Sequence, residues 1–493
     1  MMKKLTILAF LFLLLTAASH AQQKTDVRTT ETKVADLLMK LPPQGSAALD
    51  AAMKELVSIG EPGYRKIIAA VQPPGKRTDE AERYAIGGLT KYLGKGTDRA
   101  AKRTAALALT NGLKTAKSEE VKDFLLQELQ YVAGDEAVPV VKSYLLSKRL
   151  SDPAARVLVR VNTTTAANAL LYALSGAKGS QQMTLIKALG DLKYAPAAKK
   201  LQQLYPSIQD VNTQKVLLYS LAMIGDPQSA ATLKAAAQKV DYKAEASNAV
   251  NSYLRYLNKT AAGSGKPVAE KTARELLTMQ ELPGQFKNAA LALLYKTAGE
   301  NARPELLSAL SSSDKQYRAA AVALLEQSYT PQTSAQIQDA VKKAGDPDQQ
   351  ADLLYVFGKH KDQSALPLLT SLLGSGNKQV QLAAIAAIAR GEDKAIAPLL
   401  NLIKSGDASV AGAAKNALLT IKGADVASQA ATLLPQTSGA ARAALMDIVT
   451  RRGGEKYAAA AFADAVNPDA AVRVAAIKAL PYVASAGDEA KIA

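Results

Sequence analysis

The sequence predicts an all-α fold, an α-solenoid of helical hairpins with about 30 residues per repeat. Three observations predict it. Apolar residues recur three and four apart from Ala21 onward, as at Leu368, Leu369, Leu372 and Leu373 and again at Leu399, Leu400, Leu402 and Ile403. No stretch sustains the alternation of a half-buried strand. Similar segments also return at a fixed period: Val380 and Val410 are 30 residues apart, Val410 and Val472 are 62 apart (two units of 31), and Pro367 and Pro398 are 31 apart.

The elements follow in order. Residues 1–21 read as a secretory signal. Lys3 and Lys4 form a basic start, Leu5–Leu15 an apolar core, and small Ser19 and Ala21 suit a cleavage between Ala21 and Gln22. The apolar run is shorter than the roughly 20 residues a membrane span needs, and no later run reaches that length, so an exported chain without a membrane span is expected. Residues 22–34 are polar and expected to be flexible. A first solenoid block is expected over 35–258. Residues 259–271 (KTAAGSGKPVAEK) lack an apolar stripe and read as a linker or hinge. A second block follows over 272–493.

Turn chemistry supports the hairpins. Gly60-Glu61-Pro62 and Gly225-Asp226-Pro227 close one helix and open the next: glycine tolerates the left-handed conformation, the carboxylate caps, and proline fits a first turn. Gly190-Asp191 reads as the same turn without proline, and Gly345-Asp346-Pro347 carries the same letters.

Four segments share one pattern, beginning at Asp314, Asn377, Asp407 and Asp469. Each runs Asp/Asn-x-x-Val/Tyr, then a variable residue (Arg318, Gln381, Ala411, Arg473), then small and apolar residues at helical spacing. With the Ala-x-x-x-Leu-Leu helix that follows, this unit resembles HEAT repeats, above all the short type associated with phycobilisome lyases. The resemblance is close over 150–493 and looser over 35–150. The family's arginine is present in only some units, which puts a continuous Asp–Arg ladder in doubt. The resemblance implies a scaffold with a concave binding face lined by the second helix of each hairpin. On that basis Lys199, Lys200, Lys234 and Lys239 are the candidate binding residues.

Local motifs for chemistry are sparse. The chain has no Cys, which excludes disulfides, thiolate metal sites and thiol nucleophiles, and its two His are His20, inside the signal, and His360. His360 lies in Gly358-Lys-His-Lys-Asp362 and is expected in a solvated turn. Gly263-Ser264-Gly265-Lys266-Pro267 misses a phosphate loop, because Thr260 stands where its first glycine belongs and Pro267 where its hydroxyl belongs. The carboxylate pairs Asp79-Glu80, Glu119-Glu120 and Asp135-Glu136 sit at helix starts, where acids cap and complement the dipole. Catalytic, metal and cofactor residues are therefore expected to be none.

Charge is the remaining lead. The formal net charge is +17, or 17 − 2 = +15 without Lys3 and Lys4, and residues 51–200 alone hold 24 Lys and Arg against 14 Asp and Glu. Export argues against nucleic acid as partner. The expected function is a periplasmic or extracellular bacterial scaffold without catalysis of its own, binding a protein or an anionic polysaccharide or other polymer. The alternative is the N-terminal solenoid of a larger exported carbohydrate-active enzyme, with a sugar-hydrolase jelly roll or a haem-binding domain beyond Ala493, since no polar helix covers the last apolar layer. A chromophore lyase is a third reading, implied only by the repeat type.

Overall fold

The computed structural model describes residues 27–76, 78–390, 395–421 and 425–488. The signal segment 1–21 and the Ala21/Gln22 junction lie outside the described residues. Those residues form helices and turns with no strand among them, an α-solenoid as expected. Among the described residues no helix is long and apolar enough to cross a membrane.

The chain divides into two compact units. The first runs to Ala236 and includes Glu245–Tyr256; the second is Ala237–Ala244 with Leu257 onward. In each unit alternate helices form two layers. The first layer of the first unit contains Glu119–Leu129, Ser151–Val161, Gly179–Asp191 and Val211–Ile224. Its second layer contains Thr164–Leu174 and Ala198–Leu204. In the second unit the first layer runs from Gly284–Ala298 through Lys315–Leu325, Pro347–His360, Lys378–Ile388, Ala408–Thr420 and Gly439–Gly453 to Ala470–Val483.

From Glu119 to Ile224, and through most of the second unit, successive first-layer helices pack against one another, whereas successive second-layer helices scarcely touch. The closer-packed layer is the inner side of a bent double layer. Small residues permit it: a Cβ on Gly190 would stand 2.8 Å from Ser220 Cα, and one on Gly358 the same distance from Ala387 Cα.

The repeat pattern now has a physical content. Asp210, Asp314, Asn377, Asp407 and Asp469 are N-caps whose side chains accept backbone N–H bonds from the first helical turn. Three residues on, Val380, Val410 and Val472 are buried in the core. One residue further, a long polar side chain reaches back to the carbonyls where the preceding helix ends. Arg318 Nη1 donates to Ser312 O (2.8 Å) and Ser313 O (3.0 Å), and Arg473 Nη1 to Asn467 O (2.6 Å). Where arginine is missing, glutamine serves: Gln214 donates to Ile208 O, Gln350 to Val341 O and Gln381 to Leu373 O. Ala411 cannot, so the row of donors is interrupted there.

Three expectations need correction. The linker at 259–271 shrinks to the turn at 261–265, because Lys266–Leu277 is a helix that opens with Pro267 and buries Ala269, Thr272, Ala273 and Leu276. That stripe includes a threonine and alanines, which masks it in the sequence. Within 22–34, Thr29 caps a helix from Thr30 whose Val34 and Leu37 are buried. Gly190-Asp191 is no turn but the end of Gly179–Asp191; the chain turns at Lys193 (φ 52°), and glycine is needed at 190 for the contact with Ser220.

Candidate functional site

The inner layer of the first unit carries an open groove. Two hollows of about 400 and 290 Å³ adjoin at Val216, one between Ser151–Val161, Gly179–Asp191 and Val211–Ile224, the other between Val211–Ile224 and the chain from Asn248 to Arg255. Helical spacing places Asp152, Arg156 and Arg160 on one exposed stripe; Lys187 and Asp191 follow on the next helix, and Lys215 and Tyr219 on the third. Ala155, Val159, Met183, Ala188 and Val216 form an apolar floor between the helices.

The groove is positively charged. Its two acids are occupied by neighbours four residues away on their own helices: Arg156 holds Asp152 at 2.5 Å and Lys187 holds Asp191 at 2.6 Å. Arg160 and Lys215 have no carboxylate partner among the described residues. The Arg255 guanidinium stands 5.2 Å from the centre of the Tyr219 ring, a cation–π contact at the rim.

The lysines nominated from the sequence lie elsewhere. Lys199 and Lys200 are on Ala198–Leu204, a helix of the second layer; Lys234 is on Ser229–Lys239, whose last residue Lys239 belongs to the second unit. The expectation that second helices line the concave side is therefore corrected: small residues let the capped first helices approach most closely, so they form the inner layer. Lys199 and Lys239 are exposed and Lys200 and Lys234 half-buried. The signal that could have located the groove is a periodic one, since Arg156 and Lys187 occupy matching places 31 residues apart.

The carboxylate pairs are bound up in caps and turns. Asp79 accepts from Gln72 N (2.9 Å) and Arg83 Nε (3.0 Å); burial pushes its carboxyl up, but these bonds outweigh burial and hold it below its usual range. Glu120 is held low by the Ser118 hydroxyl and by Arg149. Thr163 donates to Asp135, and Glu136 accepts from Gly134 N. Among the described residues no three His, Asp or Glu converge as a metal site. The turn at 261–265 leads into Lys266 and Pro267 at a helix start, not into a phosphate loop.

His360 departs from its expected place in a solvated turn. It ends the helix Pro347–His360 and stacks on Tyr329, with centroids 3.9 Å apart and planes 7° from parallel. Its buried Nε2 stands 3.6 Å from Glu326 Oε1, and Lys359 binds the other oxygen of that carboxylate at 2.6 Å. Tyr329 donates to Asp362 at 2.6 Å, and burial together with that bond drives the phenol well above its ordinary range. The aromatic pair thus joins two hairpins through a stack edged by the Lys359–Glu326 ion pair and the Tyr329–Asp362 hydrogen bond.

A third hollow, of about 590 Å³, lies on the inner layer of the second unit. Ala411, Gly412, Ala440, Ala444 and Val474 line it. Lys415 and Arg451 at its edge both bind Asp447, at 3.0 and 2.6 Å.

No family model matches the chain, and no curated protein matches it. Solved structures similar to it include the karyopherin Kap121p bound to the extreme C-terminus of the protein phosphatase Cdc14p (12% identity, TM-score 0.49) and Kap121p bound to Ste12p (13%, 0.49). Kap95p, whose binding induces the switch loops of RanGDP to adopt the GTP-bound conformation, is similar at 11% identity and a TM-score of 0.35. The matches cover 91% of this chain for Kap121p and 94% for Kap95p. The chain spans 56% of the length of Kap121p and 62% of that of Kap95p. The solenoid architecture described here stands on the helix pairing of this chain itself.

Proposed function

We propose that this protein is an exported scaffold, without catalysis of its own, that binds a protein or an anionic polymer along the inner layer of its first unit. The observation that carries the reading is the groove between Ser151 and Arg255: an apolar floor, a rim of cations exceeding its acids, and construction from four successive segments. Such a surface suits an elongated partner held by many modest contacts, with charge accelerating the encounter. Its open lining lacks the enclosed, convergent polar groups that small-molecule chemistry uses. Export to the periplasm or beyond rests on the basic start, apolar core and small residues of 1–21.

Two measurements on the native source test this. N-terminal sequencing of the secreted fraction is expected to begin at Gln22; a chain retained inside the cell with Met1 intact would overturn export. Affinity capture from that fraction is expected to retain a protein or polymer in about 50 mM salt and release it near 500 mM, where the Debye length falls from roughly 14 to 4 Å. Retention of nothing at low salt, or turnover of a sugar substrate by the chain, would overturn the scaffold reading.

A further inference from the structure

We propose that the first-unit groove holds an extended acidic polypeptide segment bearing apolar side chains; the inference rests on the scaffold reading and names its ligand. The argument begins with charge. Five cations line the groove (Arg156, Arg160, Lys187, Lys215 and Arg255) against two carboxylates, Asp152 and Asp191. Both carboxylates are already held by Arg156 and Lys187. Arg160, Lys215 and Arg255 remain to meet an anion, and they stand on three different helices, so their natural complement is a row of negative charges and not one compact anion.

The floor distinguishes among polyanions. Ala155, Val159, Met183, Ala188 and Val216 offer apolar surface to the ligand, and methionine adapts to varied apolar side chains. A peptide that alternates acidic and apolar residues turns its two kinds of side chain to opposite faces when extended, one to the cations and one to the floor. An acidic polysaccharide has hydroxyls where that floor requires hydrocarbon. Single-stranded nucleic acid would call for a succession of stacking aromatics, and Tyr219 is the one aromatic of the lining.

The far end supplies backbone recognition. Asn248 and Asn251 lie beside Arg255 and line the second hollow. Each amide carries a donor and an acceptor, the pair that an extended main chain presents. The length also agrees: three steps of about 9 Å between neighbouring helices give about 27 Å, or about eight extended residues. The second-unit hollow is larger, but two of its cations share Asp447, so it lacks this row of uncompensated charge.

The test is fluorescence anisotropy on the full-length chain with two labelled pools of decapeptides. One alternates Glu or Asp with Leu, Val or Phe; the other replaces each acid by its amide. Polygalacturonate serves as an independent probe. Binding of the acidic pool at least about tenfold tighter than the amide pool is expected, with at least a further tenfold loss in R160E/K215E, where like charges would face the ligand. K199E/K200E, on the second layer, is expected to bind as wild type. Matching helical circular dichroism and thermal midpoints keep both variants interpretable. Equal affinity for the two pools, or full binding by R160E/K215E, would overturn the proposal. Binding of polygalacturonate but neither pool would also overturn it while leaving the scaffold reading intact, which the salt-dependent capture decides separately.

Discussion

Four residues after the N-caps Asp210, Asp314, Asn377 and Asp469 sits a polar side chain whose work is structural, although it looks like an exposed polar residue in the sequence. Arg318 is 2% exposed, its guanidinium donates to two carbonyls, and Nη2 bonds Asp352 at 2.6 Å. Removing it strands two carbonyl oxygens and weakens the hold on a carboxylate that Lys315 reaches only at 3.2 Å. Arg318→Ala is therefore expected to cost about 2–3 kcal/mol, whereas Gln381→Ala, which deletes one neutral bond, costs about 1 kcal/mol. Urea unfolding followed by circular dichroism measures both as shifts in midpoint. A midpoint for Arg318→Ala as high as wild type would contradict the assignment. The sequence made this position visible as a repeat feature but left its role obscure, because Arg and Gln look unrelated until both are seen donating to the same kind of carbonyl.

Between helices, contact distance decides what sequence propensity alone would get wrong. Glycine inside a helix ordinarily costs up to about 1 kcal/mol relative to alanine. At Gly412 a Cβ would meet nothing within 4 Å, so Gly412→Ala is expected to be neutral or stabilising by up to about 1 kcal/mol. At Gly190 the same substitution places Cβ 2.6 Å from Ser220 Cβ and 2.8 Å from its Cα, and backbone cannot swing aside as a side-chain tip can. Gly190→Ala is expected to lose about 1–3 kcal/mol through overpacking, opposite in sign to Gly412→Ala. Thermal unfolding of the two variants checks the pair; a rise in midpoint for Gly190→Ala would contradict the close packing of the inner layer. Helix existence was legible from apolar spacing, and caps such as Asp407 and Asp469 were legible from their letters. Which helix of a hairpin lies inside was not, since it depends on distances between residues about 30 positions apart. The helix at Lys266–Leu277 escaped for a related reason: its buried stripe of Ala269, Thr272 and Ala273 carries little hydropathy.

At the scale of the whole molecule, the proposed binding surface rests on where geometry gathers basic residues and not on their number. Lys199 and Lys200 are as basic as Arg160 and Lys215, but they stand on a second-layer helix, while the latter face a hollow with an apolar floor. His360, the histidine read as solvated, is instead stacked on Tyr329, a pairing that only the approach of two hairpins creates. Both cases share a cause: one-dimensional order records residue type and period, and not which residues the approach of neighbouring helices brings together. Lysine-selective labelling read by mass spectrometry, with and without saturating poly-L-glutamate, tests the central claim most directly. Protection of Lys187 and Lys215, with Lys199, Lys200 and Lys239 still labelled, is the result expected for an inner-layer groove. Protection of Lys199, Lys200 and Lys239, with Lys187 and Lys215 left reactive, would contradict it.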